Sequence, residues 1–346
     1  MKKEIKRRGI VCAGNWIVDH VKIVDRLPGR GMLGNILSET PASGGAPFNV
    51  LVDLGKMGTE FPLAGAGVIG NDSGRDFIRS ICEPLKIDIS RLTVMEGMAT
   101  SYTDVMSEAG SGVRVFYHYR GANARFVPEH VQTRELPFRI FHLGYLLLLD
   151  GMDKPDPDCG TAAAKLLKRV QAAGIKTSVD VVSEESDRFQ KIVPASLPYT
   201  DYLILNEIEA GRTTGHKVRD GDGRLIPGNI VDSVEALQGM GKMELVAVHM
   251  PEGVYLRTRD GKKYSQGSLK LPPNYIKGTV GAGDALCAGM LYGLHENWDH
   301  QKTLLLGTCA AAACLAQPGA TDGLMPIDKL MELAGRFPEQ APPVSI

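Results

Sequence analysis

Aromatic residues make up only 6% of the 346 residues, and neither charge sign prevails. Lys and Arg total 39 and Asp and Glu total 40, for a formal net charge of −1. A general polyanion binder needs an excess of positive charge, so nucleic acid is not an expected partner. Nowhere do about 18 consecutive apolar residues occur, so no membrane-spanning helix is expected. The basic start, Met1-Lys2-Lys3-Glu4-Ile5-Lys6-Arg7-Arg8, precedes a stretch that Asn15 and Asp19 interrupt, which argues against a signal peptide. None of the six cysteines forms a C-x-x-C pair and most sit in apolar runs. Buried free thiols in a reducing cytoplasm are the expectation, with disulfides or zinc as the alternative. Internal repeats, low-complexity runs and a G-x-x-x-x-G-K-[ST] loop are also missing.

Glycine, by contrast, is abundant. There are 40, against a usual share of about 7%. No G-X-Y period accounts for them, so their places in the chain matter. Short apolar runs alternate with helix-period stretches. Ile10–Ala13, Leu63–Ala66, Ile140–Leu143, Thr177–Asp180, Tyr202–Leu205 and Leu245–Val248 read as buried strands. Residues 158–173 read as a helix. Such alternation predicts an α/β fold with a mostly parallel sheet covered on both faces. Residues 19–40 and 101–118 break the pattern. They read as exposed strands of a small β appendage, or as ordinary surface hairpins.

Three glycine clusters stand out. Gly65-Ala66-Gly67-Val68-Ile69-Gly70 matches G-x-G-x-x-G, with Asp88 eighteen residues on. However, a dinucleotide-binding fold usually opens on its first strand, and here that strand ends at Gly14-Asn15-Trp16. Ser43-Gly44-Gly45-Ala46-Pro47-Phe48-Asn49 precedes a helix that should stop at Gly58. Backbone N–H groups there are open, and Asn49 stands one turn in. Gly278-Thr279-Val280-Gly281-Ala282-Gly283-Asp284 opens a helix predicted to run to about Asn297. Bare N–H donors and the positive dipole end make this an anion site. An acid beside such a cradle would repel the anion, unless it takes a proton from the group attacking it. A first-turn partner for the helix dipole is the plainer alternative.

Together these residues resemble the ribokinase/PfkB family of carbohydrate and nucleoside kinases. The family's [D]TxGAGD signature stands at Gly278–Asp284. Its double glycine followed by Asn stands at Gly44-Gly45-Ala46-Pro47-Phe48-Asn49. The N-x-x-E element is Asn206-Glu207-Ile208-Glu209, and Gly70-Asn71-Asp72-Ser73-Gly74 is similar to the family's G-x-D-x-x-G turn, which displaces the dinucleotide reading of 65–70. Gly319-Ala320 followed by Pro326 is similar to the usual close of the nucleotide pocket. The resemblance covers about residues 9–330. It implies one ribokinase-like domain over 1–346, a three-layer α/β/α core with a small β-strand lid formed by segments 19–40 and 100–123.

The resemblance also implies roles. Asp284 would be the base, and the N–H groups of Gly281, Ala282, Gly283 and Asp284 an anion hole for the transferring phosphoryl group. Asn206 and Glu209 would position Mg²⁺ through waters, and with it the phosphates of ATP. Asn15, Asp19, Gly44, Gly45 and Asn49 would face the substrate, while Gly253 and Thr308 would border the nucleotide. Arg120, in Tyr119-Arg120-Gly121-Ala122-Asn123-Ala124, would meet the sugar or its carboxylate, or remain an exposed lid charge. Lid features similar to fructokinases, 2-keto-3-deoxygluconate kinases and ribokinases favour a sugar acceptor. Gly14-Asn15 with Asp19 resembles adenosine kinases, so a nucleoside stays open. A sugar-sensing member without activity is a further alternative, although such proteins usually lose the acid kept here as Asp284. Gly278 stands where relatives activated by K⁺ keep an Asp, which argues against a potassium requirement. Thr308 replaces a frequent Asn, and His249-Met250-Pro251 replaces Thr-x-G. An exposed lid edge would allow a homodimer.

Overall fold

A computed structural model describes residues 7–110, 113–133 and 136–346. Part of the basic N-terminal run (1–6) and positions 111–112 of the second lid segment lie outside the described residues.

The six apolar runs all become strands of one nine-stranded sheet. In chain order its members are β1 (Ile10–Gly14), β4 (Leu63–Gly70), β5 (Ile87–Met95), β8 (Ile140–Leu146), β11 (Lys176–Val181), β12 (Tyr202–Asn206), β13 (Leu245–Met250), β14 (Gly253–Thr258) and β15 (Lys263–Gly267). The spatial order is β15-β14-β13-β12-β11-β8-β1-β4-β5. Pairing is parallel from β13 to β5 and antiparallel at β13–β14 and β14–β15. Residues of β1, β4 and β12 are almost wholly buried, as expected of parallel strands covered on both sides.

Helices α1 (Ala46–Lys56), α2 (Ser73–Cys82), α7 (Ala282–His295), α8 (His300–Cys314) and α9 (Ile327–Arg336) pack into one apolar cluster with Ile10, Leu63 and Ile204. Helices α3 (Ala162–Ala172), α4 (Phe189–Ser196), α5 (Glu207–Thr214) and α6 (Pro227–Gly239) pack into a second cluster with Val11, Phe141 and Leu203. Alternate residues of the same strands feed the two clusters, which makes three layers. Helix α3 begins four residues later than its periodicity predicts. Thr161 caps it by accepting from the Ala164 N–H, while Pro155–Asp156 (β9) and Gly160–Thr161 (β10) pair as a short ribbon ahead of it.

The two anomalous segments form a separate four-stranded sheet, ordered β3-β2-β6-β7, from β2 (Ile17–Val24), β3 (Ile36–Gly44), β6 (Ser101–Glu108) and β7 (Arg114–Tyr119). Phe116 and Tyr117 are both exposed on β7, an edge strand of this sheet.

Gly65-Ala66-Gly67 lies inside β4, not after it. Trp16 explains its composition. A Cβ at Gly65 would sit 2.1 Å from the Trp16 ring, and the indole Nε1 donates to the Ala66 carbonyl at 3.0 Å. These glycines admit an indole and leave no phosphate-binding turn.

Candidate active site

The chain winds outward from β1 in one direction through β4 to β5, and in the other from β8 through β11 to β13. The carboxyl ends of β1 and β8 therefore border a topological switch point, where ligands bind in open α/β sheets. Asn15 and Tyr145 lie at these two ends. Asn15 is fully buried. Its Oδ1 accepts from the Tyr145 N–H at 2.7 Å, and its Nδ2 donates to the Leu148 carbonyl at 3.2 Å. Its amide is thus spent on holding the two strand ends together.

Helix α7 aims its N-terminus at the same crevice. Gly281 is the cap residue, with φ of 81°. A Cβ there would lie 2.3 Å from the Ala320 carbonyl oxygen, so both the backbone angle and the close approach require glycine. The first-turn N–H groups have no intrahelical acceptors, and no side chain caps them. Asp284 follows in that turn and is buried. Asn49 Nδ2 donates to its Oδ2 at 2.8 Å, and the Tyr145 hydroxyl donates to its Oδ1 at 3.2 Å. Burial pushes the carboxyl up to about 6, with these two donors opposing the rise. The other end of the Asn49 amide, Oδ1, is buried without a partner, leaving an acceptor beside the acid.

Asp19 reaches the site from β2. Burial raises its carboxyl to about 7; a hydrogen bond from Thr103 opposes the rise, and the charge of Asp284 adds to it. Gly44 is needed for the acid to fit, since a Cβ there would stand 2.4 Å from Asp19 Oδ1. Gly45 has φ of 83°, and its Cβ would strike the Asn15 carbonyl oxygen at 2.2 Å. The double glycine thus makes room first for this chain's own Asp19 and Asn15.

Asn206 and Glu209 form a capping box on α5. The Glu209 N–H donates to Asn206 Oδ1 at 2.9 Å, and the Asn206 N–H donates to Glu209 Oε2 at 3.0 Å. Ser183 donates to Glu209 Oε1 at 2.7 Å. Burial raises Glu209 to about 7 despite these donors. Asp180, at the end of β11, is held well above the usual carboxylate range by burial and then by the charges of Glu209 and Asp284. Among the described residues no three His, Cys, Asp or Glu side chains are grouped closely enough to cage a metal ion.

A cavity of about 530 Å³ runs from this cluster, lined in part by Asn206, His249, Gly253, Thr279, Gly283 and Thr308. Thr308 Oγ1 is buried there with no partner. That orphaned hydroxyl and the open N–H groups of α7 suit a nucleotide with its base at α8 and its phosphates at α7. Arg120 does not stand free. Its Nη1 donates to Asp150 at 3.0 Å, and its Nη2 lies 3.9 Å from Glu184.

The pfkB carbohydrate kinase family matches residues 7–328. The chain belongs to this family. It is an ATP-dependent carbohydrate kinase. A 5-dehydro-2-deoxygluconokinase of Shouchella clausii is 23% identical over 303 residues, 86% of this chain and 87% of its own. A ribokinase of Arabidopsis thaliana, solved with ribose and ATP, superposes with a TM-score of 0.76 at 20% identity, covering 94% of this chain and 98% of its own. A nucleoside kinase of Methanocaldococcus jannaschii superposes at 0.75, also at 20% identity, covering 96% and 99%. At such identities these structures speak to the fold, which is that of the ribokinases.

Sequence reasoning missed three polar residues of this crevice: Tyr145, Asp180 and Ser183. Tyr145 and Asp180 carried a usable signal, because each is a polar residue at the carboxyl end of a buried parallel strand. Ser183 lies in a loop and gave none.

Proposed function

We propose that this kinase transfers the terminal phosphoryl group of ATP to a hydroxymethyl group of a sugar-class acceptor, with Asp284 as general base. One observation carries the reading: a buried acid, its carboxyl pushed up by burial to about 6, stands in the first turn of α7, beside open N–H groups and the unpartnered Asn49 Oδ1. The acceptor's hydroxyl would lose its proton to Asp284 as it attacks. The N–H groups of Gly281, Ala282, Gly283 and Asp284 would stabilise charge on the transferring group. Asp19 would accept hydrogen bonds from acceptor hydroxyls. Asn206 and Glu209 would hold Mg²⁺ through waters, and relief of the buried charge on Glu209 and Asp180 favours a cation there. The ion, when bound, neutralises phosphate charge. Gly253 and Thr308 would border the nucleotide base.

Asp284→Asn should reduce kcat below about 1% of wild type while acceptor binding, measured by calorimetry, persists. Retention of substantial turnover would sink the assignment. The acceptor panel should set ribose, fructose and keto-deoxy sugar acids against adenosine, inosine and guanosine. Turnover should not need K⁺. Position 278 offers no carboxylate, and even a Cβ there would meet the carbonyl oxygens of Gln317 and Pro318 at 2.9 Å.

The lid also supports a homodimer. Ile36 (53%), Leu37 (60%), Phe116 (53%) and Tyr117 (62%) expose apolar surface on its two edge strands, which a second copy would cover. The six cysteines, all free, suit a reducing cytoplasm. No helix among the described residues is long and apolar enough to cross a membrane.

A further inference from the structure

Strands β12 and β13 run side by side as far as Asn206 and His249, the last pair of their ladder. Beyond it the two backbones part. One enters α5 at Glu207, and the other turns at Pro251 and Glu252 into β14. Asn206 and Glu207 from the first path line the cavity of about 530 Å³ together with Pro251 and Gly253 from the second. Backbone pairing no longer fixes the separation of these segments, so side chains must. Resting on the reading of this cavity as the ATP site, we propose that Arg219 is a positioning residue for the nucleotide, clamping the two parts of the cavity wall together through Glu207 and Glu252.

A short hairpin in the α5–α6 connection carries Arg219. It faces Leu225 in an antiparallel bridge, and the Ile226 N–H donates to the Val218 carbonyl at 2.8 Å. Asp220 closes the turn by accepting from the N–H groups of Asp222 and Arg224, both at 2.9 Å. From this hairpin, Arg219 Nε donates to Glu207 Oε1 at 2.9 Å. Nη1 and Nη2 donate to Glu252 Oε1 and Oε2, each at 2.9 Å. Nη2 also lies 2.8 Å from Glu207 Oε1, and Nη1 also donates to the Gly223 carbonyl at 3.0 Å. One planar fork thus holds both carboxylates and its own hairpin, a geometry that an ammonium cannot reproduce.

Charge argues the same way. Glu207 is buried and lines the cavity. Left unpaired, its carboxylate would be costly to bury and would repel an incoming polyphosphate. The bond from Arg219 holds the Glu252 carboxyl below its ordinary value, so the contact persists at neutral pH. Glu252 passes the restraint on: its carbonyl accepts from the Ser268 N–H at 3.1 Å, and Ser268 lines the cavity as well.

The test measures the Kd for ATP with Mg²⁺ by calorimetry, and kcat and KM with an acceptor that turns over in the panel above. Arg219→Lys keeps the charge and loses the fork. It should weaken ATP binding about tenfold and leave kcat at saturating ATP and the acceptor KM within about twofold of wild type. Glu252→Gln, at a half-exposed group, should weaken ATP binding about threefold and add nothing to Arg219→Lys, because both break one contact. Thr308→Phe, which fills the cavity from α8, should also weaken ATP binding. Unchanged ATP affinity in Arg219→Lys, with Thr308→Phe weakened, would overturn the clamp alone. So would an acceptor KM that rises as far as the Kd for ATP, or additive effects of the Arg219 and Glu252 substitutions. Should Arg219→Lys not fold, Glu252→Gln decides, and unchanged ATP affinity there overturns the clamp. No effect of Thr308→Phe would overturn the nucleotide reading of the cavity itself.

Discussion

Asp284 sits where a helix dipole would normally keep a carboxylate ionised. Burial wins, and the group rises to about 6. A general base works only when unprotonated, so activity should be lost as pH falls through this value. Asp19, raised to about 7, would lose its acceptor capacity over an adjoining range. A profile of kcat/KM should therefore fall between about pH 7 and 6, and in Asp19→Asn it should fall only near 6. Tyr145→Phe removes a donor that favours the Asp284 carboxylate. Its acid limb should move to higher pH, by up to about one unit. An unmoved limb would show that the hydroxyl does not act on Asp284. Asp53 offers a different titration. It is fully buried in α1, with both carboxylate oxygens unpartnered, and burial, then the Asp284 charge, hold its carboxyl well above 3.8. A raised acid stabilises the fold below its unfolded value and loses that contribution as pH rises through the folded one. Asp53→Ala should therefore gain at least ~1 kcal/mol over wild type at pH 8. The gain should shrink toward pH 4 in denaturant titrations.

Helix α7 carries the proposed anion cradle, and its position depends on how closely it lies on α8. Gly289 faces Gly307, and a Cβ at 289 would stand 2.8 Å from the Gly307 Cα. Gly293 is likewise filled by Thr303. Ala285, Gly289 and Gly293 recur every four residues, a spacing that marks a close-packing face but carries no information about its partner. Gly289→Val should cost about 1–3 kcal/mol by overpacking, measured by denaturant unfolding. By tilting α7 it should also lower kcat more than a surface substitution of equal stability cost. The N-x-x-E element was legible in a second way. Asn206 and Glu209 have the spacing of a capping box, and that is the contact they make. Their side chains are ordered by α5 itself.

The whole molecule is a nine-stranded core with a four-stranded lid, and the lid leaves apolar edge strands uncovered. If two copies join there, the mass in solution should be twice 37.3 kDa. Leu37→Glu with Phe116→Glu should then yield monomers with a raised acceptor KM, because the lid would lose its support. Sedimentation of wild type and variant decides this, and a monomeric wild type would refute the interface. The core's strand order was not legible. Alternating strands and helices implied a parallel sheet, yet nothing local to a strand says which strand lies beside it. The winding that places β1 next to both β4 and β8 is what brings Asn15 and Tyr145 to one crevice.

Local chemistry was enough to read the α/β class, the lid segments, and the glycine turn and first-turn acid that open α7 at Gly281–Asp284. Each of these is written in contiguous residues, through periodicity, glycine backbone freedom or dipole sign. The partners of those groups were not. Tyr145 stands 139 residues from Asp284, Asn49 stands 235 away, and Asp150 meets Arg120 across 30. Such contacts depend on chain winding and burial. The same is true of every shifted acid in the site, because desolvation is a property of the folded surroundings and not of the residue.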